Sequence, residues 1–428
     1  MKSYKELSRD ELLELQGALN KEYADAKSKG LSLNMARGKP SSEQLGFSMG
    51  IMDVLNSSSE LVSEDGTDCR NYGVLDGIPE AKRLMAGMVG TKSENMIVCG
   101  NASLPIMYDT VARSYAFGVC GGKPWCKQEH VKFLCPVPGY DRHFAITEQF
   151  GIEMINIPMH EDGPDMDLVE KYVESDSSVK GIWCVPKYSN PEGVCYSDEV
   201  VRRFAALKPA AEDFRIYWDN AYAMHHLYPD QPVEILDIIE ECEKAGHPDM
   251  VFEFCSTSKV TFSGSGVAAV ATSEKNREWF KKTMTIQTIG YDKINQLRHV
   301  KYFGDIEGMK AHMVKMADSL RPKFEAVHEV LEAELGGLEI GQWTDPKGGY
   351  FISFYTLPGC AKKVAAMCKD AGVTLTGAGA TYPYKKDPED SNIRIAPSFP
   401  TVDEMKLAAK LFALCVKRVS VEKLLEEK

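Results

Sequence analysis

Lys259 closes the run Phe254-Cys255-Ser256-Thr257-Ser258-Lys259, in which a strand-like stretch (251–254) empties into three hydroxyl residues and one amine. At the carboxyl mouth of a sheet such an amine can form a Schiff base, and the hydroxyls can hold an anion beside it. Taken alone, the run also reads as a surface lysine after a strand. A free lysine has a pKa near 10.4 and is roughly a thousandfold protonated at neutral pH, so its use as a nucleophile requires burial or linkage as an imine. Asp219 follows the apolar run 216–218, which leaves its carboxylate partly desolvated where a strand leaves the sheet. A carboxylate there needs a cation, and a protonated ring nitrogen would supply one while making that ring a better electron sink; capping of the next helix is the alternative. Tyr222, within one turn of Asp219, can offer its hydroxyl to the same ring or pack as a core aromatic. Arg394 is a lone arginine between Ile393 and Ile395. Its planar fork suits a carboxylate, and a structural salt bridge is the alternative.

Other segments offer matching partners. Asn190-Pro191-Glu192-Gly193 has the composition of a turn, but it follows the strand pattern 181–185, where a side-chain amide can reach a ring oxygen from the side opposite Tyr222. Gly100-Asn101-Ala102-Ser103 lies between the strand pattern 96–99 and a helical stretch from Leu104, so it presents free backbone N–H groups and a positive dipole end to a phosphate. The chain contains neither G-x-G-x-x-G nor G-x-x-x-x-G-K-[ST]; Gly264-Ser265-Gly266 resembles a nucleotide-binding glycine pair only superficially.

The elements that must position these residues alternate along the chain. Short apolar runs at 96–99, 131–134, 153–157, 181–185, 215–218, 251–254 and 267–270 are separated by helical patterns, which predicts an α/β fold: a mostly parallel seven-stranded sheet with helices on both faces. Before it come a capping box at Ser8 to Glu11, a helix marked by Leu12, Leu15, Leu19 and Tyr23, and a Gly/Pro crossover at 34–40. After it, Met309, Met313, Met316, Leu320, Phe324, Val327 and Leu331 line a long helix that Pro322 is placed to kink and Gly336-Gly337 to end. Strands at 349–354 and 392–395 and helices at 361–370 and 402–425 complete the pattern. The expected organisation is a large domain, 45–305, and a smaller α+β domain built from 1–44 and 306–428.

Composition narrows the function. A formal net charge of -12 argues against a nucleic-acid partner. The 12 cysteines form no C-x-x-C pair, and Met1-Lys2 leads into polar sequence, so a reduced, cytoplasmic protein is expected. No apolar run approaches the roughly 18 residues of a spanning helix. No metal site is expected.

In this order the segments resemble the class I (fold type I) pyridoxal-phosphate (PLP) aminotransferases from about residue 30 onward. The resemblance is closest to the bacterial alanine-glyoxylate or subgroup Ic aspartate aminotransferase-like group. It rests on Ala36-Arg37-Gly38-Lys39-Pro40, Ser258 to Gly264, Asp292-Lys293-Ile294-Asn295-Gln296-Leu297-Arg298-His299 and Asn392 to Pro397. It implies that Lys259 is the internal aldimine lysine and proton shuttle, Asp219 the partner of the ring nitrogen, and Asn190 and Tyr222 the partners of the ring oxygen. By the same resemblance Tyr140 stacks on the ring, and Asn101, Ala102, Ser103 and Ser256 form the phosphate cup. Tyr72 is the tyrosine lent by the second subunit of a homodimer. Arg394 grips the substrate α-carboxylate beside Gly38 and Asn190, while Arg37, Lys293 and Arg298 are candidates for a second carboxylate or for subunit contacts. One position departs from the pattern: eight residues after the lysine, where many class I enzymes place a phosphate-binding arginine, stands Val267, so Ser263 or Ser265 would have to compensate. The implied activity moves an amino group between an L-amino acid, aspartate foremost, and a 2-oxo acid such as 2-oxoglutarate. A PLP-dependent lyase or decarboxylase on the same scaffold is the alternative. A PLP-sensing regulator would carry a basic helix-turn-helix extension, for which the N-terminal segment is too short and too acidic.

Overall fold

A strand covered on both faces has no solvent-facing positions, so it reads as a nearly continuous apolar run. The computed structural model, which describes residues 2–428, turns each of the seven expected runs into a strand. Its strands are β1 (Leu33–Asn34), β2 (Met96–Val98), β3 (Lys132–Val137), β4 (Glu153–His160), β5 (Gly163–Pro164), β6 (Val179–Cys184), β7 (Arg215–Asp219), β8 (Val251–Ser256), β9 (Ala268–Ala271), β10 (Gly341–Trp343), β11 (Ile352–Thr356), β12 (Val373–Thr374) and β13 (Asn392–Ile395).

The main sheet runs β2-β9-β8-β7-β6-β3-β4-β5. β4, β3, β6, β7 and β8 pair in parallel, β9 is antiparallel to both β8 and β2, and β5 is antiparallel on the edge of β4. The sheet thus has eight strands where seven were expected. The added one, Gly163–Pro164, is a two-residue hairpin arm in polar surroundings, with its proline at an edge where a missing N–H is tolerated, and so gave no apolar run. Chain order reverses between β3 and β6, and in such sheets a crevice opens beyond the carboxyl ends of the strands at that point.

Successive side chains along a strand point to opposite faces. On β7, Ile216 and Trp218 join one apolar cluster with Leu84, Val201 and Phe204, while Tyr217 joins another with Val111, Phe133 and Trp183. A third cluster unites Leu12, Leu19 and Tyr23 of the helix Arg9–Ser28 with Leu331, Phe354, Val364 and Phe412. The helix Ile306–Leu335 bridges the clusters: Met309, Met313 and Met316 pack under the main sheet, and Leu320, Phe324, Val327 and Leu331 pack in the third cluster. It runs unbroken through Pro322. β11 begins at Ile352 instead of 349, because Gly349 turns the chain at φ 78, where an added Cβ would stand 2.9 Å from the Tyr188 side chain. Among the described residues no helix is long and apolar enough to cross a membrane.

Candidate active site

The carboxyl ends of β3, β6, β7 and β8 deliver Tyr140, Asn190, Asp219 and the turn Ser256 to Lys259 to one crevice. The lysine turn is held by its backbone. Thr257 O accepts from Val260 N and Thr261 N, each at 2.9 Å, and the Thr257 N–H and hydroxyl exchange bonds with Val267 across the hairpin at 2.8 and 2.9 Å. His225 Nε2 donates to the Lys259 carbonyl at 3.3 Å. The Lys259 amine stands 4.9 Å from the centre of the Tyr222 ring. Burial pulls its pKa below the ordinary lysine value, with the Asp219 charge opposing that shift.

Asp219 is 2 % exposed. His143 Nε2 donates to its Oδ2 at 2.9 Å, and its Oδ1 has no partner. The His143 ring is fixed in turn: it stacks on Trp183 with centroids 4.4 Å apart and meets Tyr140 edge-on at 4.9 Å. Burial, followed by the charges of Asp219 and Asp141, pushes Tyr140 up to about 12. Burial also raises Tyr222 well above the usual phenol value, so both tyrosines stay protonated and able to donate.

Arg394 projects from β13. Its Nη1 donates to Asp141 Oδ1 at 2.9 Å and to Asn190 Oδ1 at 3.2 Å, its guanidinium lies 4.7 Å over the Phe351 ring, and its buried Nε has no acceptor. Both sequence readings of Arg394 therefore have support, a salt bridge and an unspent donor. Gly38 comes so close to the same aromatic that a Cβ there would be 2.3 Å from Phe351 Cζ.

A second group of residues surrounds the N-terminus of the helix Ser103–Phe117, whose first N–H groups receive no side-chain cap. Ser258 Oγ donates to Asn101 O at 3.1 Å, Ser256 Oγ donates to Ser258 Oγ at 3.1 Å, and Asn101 Nδ2 donates to Gly264 O at 3.4 Å. A Cβ on Gly266 would stand 2.8 Å from Asn101 O, so the glycine loop closes against this corner only without a side chain. Val267 is buried and faces the core. Arg298 takes a place beside the loop, its Nη2 donating to Ser265 Oγ at 2.8 Å and also to Asn295 Oδ1. Asn295 Nδ2 donates to Gly266 O at 2.7 Å, and His299 joins Asn295 O at 2.8 Å to the hydroxyls of Thr261 and Thr257 at 2.9 and 3.2 Å.

These groups fit PLP. A buried carboxylate oxygen without a partner answers a protonated ring nitrogen, and an uncapped helix N-terminus lined by hydroxyls answers a phosphate.

Not every predicted residue gathers there. Tyr72 is 81 % exposed. Lys293 is buried with its amine on Gly73 O at 2.8 Å, Arg298 is half-buried with its Nη2 engaged as above and its Nε without a partner, and Arg37 is exposed on its crossover. Sequence reading missed His143, Asp141 and His225. His143 lies three residues after Tyr140, one turn into the helix Asp141–Gln149, and that spacing was the one signal for it.

The sequence matches the family described as aspartate amino-transferase over residues 7–428. It is 47% identical over 405 residues to an aspartate aminotransferase of Corynebacterium glutamicum, covering 94% of this chain and 93% of that one. A crystal structure of an aspartate transaminase from Corynebacterium glutamicum superposes with a TM-score of 0.96 at 46% identity, covering 99% of each chain. An α-aminoadipate aminotransferase from Thermus thermophilus shares the fold at a TM-score of 0.73 and 16% identity, over 94% of this chain and 95% of that one. With likeness sustained over essentially its whole length, this chain belongs to the class I aminotransferases of the aspartate aminotransferase family, PLP-dependent enzymes that transfer an amino group between an amino acid and a 2-oxo acid.

Proposed function

We propose that the preferred pair is L-aspartate and 2-oxoglutarate and that Lys259 carries the proton during transfer. The observation that carries this reading is the meeting, in one crevice, of the Lys259 amine, the bare Oδ1 of Asp219 and the unspent Nε of Arg394. Bound PLP supplies an aldehyde carbon that takes the amino group and a ring that accepts the electron pair left at the substrate α-carbon. Lys259, its basicity reduced by burial, removes the α-proton and returns it on the far side of the transfer. Asp219, oriented by His143, holds a proton at the ring nitrogen. Tyr222 and Asn190 would hold the ring oxygen, Tyr140 would pack on the ring, and Asn101, Ala102, Ser103 and Ser256 would bind the phosphate. Arg298 adds positive potential to that cup through Ser265, in place of the arginine that Val267 replaces.

Arg394 binds the substrate α-carboxylate beside Gly38 and Asn190, exchanging its bond to Asp141 for one to substrate, and Arg37 reads the side-chain carboxylate. The name of the Corynebacterium glutamicum relative supports the aspartate preference. The exposure of Tyr72 supports a homodimer in which it reaches the partner's phosphate cup. We place the enzyme in the cytoplasm and divide it into a PLP-binding domain, 45–305, and a smaller domain, 1–44 with 306–428; the apolar cluster around Leu12, Phe354 and Phe412, which also takes in Val185, Tyr188, Tyr222 and Leu227, supports that division.

The test is kcat/KM for aspartate and alanine in two variants. Arg394→Ala should weaken both substrates alike, a charged hydrogen bond being worth roughly 1.5 to 3 kcal/mol. Arg37→Gln should lower the aspartate-to-alanine ratio roughly tenfold, about 1.4 kcal/mol, while sparing alanine. A ratio that responds to Arg394→Ala and ignores Arg37→Gln would reverse the two assignments.

A further inference from the structure

Lys187 is a buried cation that amino-group transfer leaves unused. It lies three residues before Asn190, and its side chain is only 6% exposed. Its nearest carboxylate is Glu234 Oε2 at 4.0 Å, on a side chain that is 82% exposed, and among the described residues its amine has no hydrogen-bond acceptor. Burying an ammonium group with so little compensation is unfavourable, and burial pulls its pKa below the ordinary lysine value.

The lysine lines a cavity of about 500 Å³. Asn220 also faces this space. Its Nδ2 donates to Glu253 Oε1 at 3.1 Å, which leaves Oδ1 buried and without a donor. The walls divide about evenly between apolar surface, from Met88, Met224, Ile235, Met313 and Val314, and polar surface that includes His226 and Glu234, and the paired Glu307 and Lys310 stand at the exposed rim. A buried amine and a half-apolar lining together complement a small molecule with a carboxylate and an apolar body.

We propose that this cavity is a second ligand site, distinct from the substrate site, that binds small carboxylates with an apolar body, such as branched-chain amino acids or their 2-oxo acids, with the carboxylate on Lys187. Occupation would bear on the active site through two short connections. Lys187 leads through Tyr188, held at φ 50, to Asn190, and Asn220 directly follows Asp219.

The test is calorimetric titration of the Arg394→Ala holoenzyme, whose substrate grip is removed, with isovalerate and with L-leucine as the two probes. One site per chain is expected. Tighter binding of leucine identifies an amino acid as the occupant, and equal binding identifies a carboxylate alone. Lys187→Met in the same background should weaken both probes about tenfold or more, the loss of a charged hydrogen bond. Val314→Trp, which fills the cavity from a partly exposed wall, should produce the same loss if Lys187→Met folds poorly. Binding of neither probe up to about 10 mM, or binding that survives both substitutions, would overturn the proposal. Neither result bears on the aspartate assignment, which rests on other residues.

Discussion

Asp219 Oδ1 is an anionic oxygen with no partner inside the protein, and leaving such an atom buried costs roughly 1 to 3 kcal/mol or more. A protonated ring nitrogen held there would remove that cost and would favour electron withdrawal into the ring. Asp219→Ala should therefore lower kcat by roughly a hundredfold or more while changing KM by less than about fivefold; steady-state kinetics with aspartate checks this, and activity within about threefold of the parent would contradict it. Lys259 and Asp219 were legible in the sequence because each ends an apolar run, and a strand end in an α/β sheet is where ligands bind. His143 was not. It lies 76 residues from Asp219 in the chain, and only the sheet order brings the helix after β3 and the end of β7 close enough for a bond of 2.9 Å. The same holds for Asp141 and Arg394, 253 residues apart.

The helix Lys293–Phe303 shows what an element adds beyond its motif. Its residues reach the Tyr72 loop through Lys293, the glycine loop through Asn295 and Arg298, and the lysine turn through His299. The run 292–299 was recognisable in the sequence, but Lys293 and Arg298 read as free cations because nothing in a linear pattern says which carbonyl or hydroxyl a side chain will meet. If Arg298 acts on the cofactor phosphate through Ser265, Arg298→Gln should weaken PLP binding about tenfold and leave pyridoxal, which lacks the phosphate, unaffected. Equilibrium binding of both compounds to the apoenzyme separates this from general damage, since a structural defect would weaken both.

The interior of β8 carries a second testable feature. Glu253 is 3 % exposed, and burial, followed by the Asp237 charge, pushes its pKa up to about 8. A folded-state pKa above the unfolded value means the native state binds the extra proton, so stability declines as pH rises from about 4.5 to about 8 and the full penalty stands above that window. Glu253→Gln keeps the acceptor for Asn220 and removes the charge. It should be nearly neutral at about pH 5 and stabilising by roughly 2 to 4 kcal/mol at about pH 8.5. Denaturant unfolding at both pH values checks the sign. At this scale the strands were largely legible, since burial on both faces forces apolar runs; the two-residue β5 was not, because pairing so short leaves no periodicity.

For the whole molecule, the decisive residue is one that the single chain leaves outside its own crevice. Tyr72 is 81 % exposed on a loop that Lys293 anchors, which suits a side chain donated across a two-fold axis. Mixed dimers of a Tyr72→Ala chain with a Lys259→Ala chain contain one site with both residues intact if Tyr72 crosses between subunits, and none if it serves its own chain. Recovery of roughly a quarter of the parent activity on mixing equal amounts of two inactive variants is the expected result, since about half of the randomly paired dimers are mixed and each holds one intact site in two. A mixture as inactive as its components would place Tyr72 elsewhere. The fold class and the residues at the strand ends could be read from one chain, whereas a contact that a second copy would make leaves no pattern in the sequence.

The account as a whole depends on amino-group transfer by halves, and the most direct measurement mixes purified holoenzyme with L-aspartate alone while recording the cofactor spectrum and the oxaloacetate formed. Conversion of the imine absorbance to the amine form with one oxaloacetate per site and no further turnover is the expected result, followed by restoration of the original spectrum when 2-oxoglutarate is added. Continued turnover without an acceptor, with release of carbon dioxide or ammonia, or a spectrum unchanged by any amino acid, would contradict it.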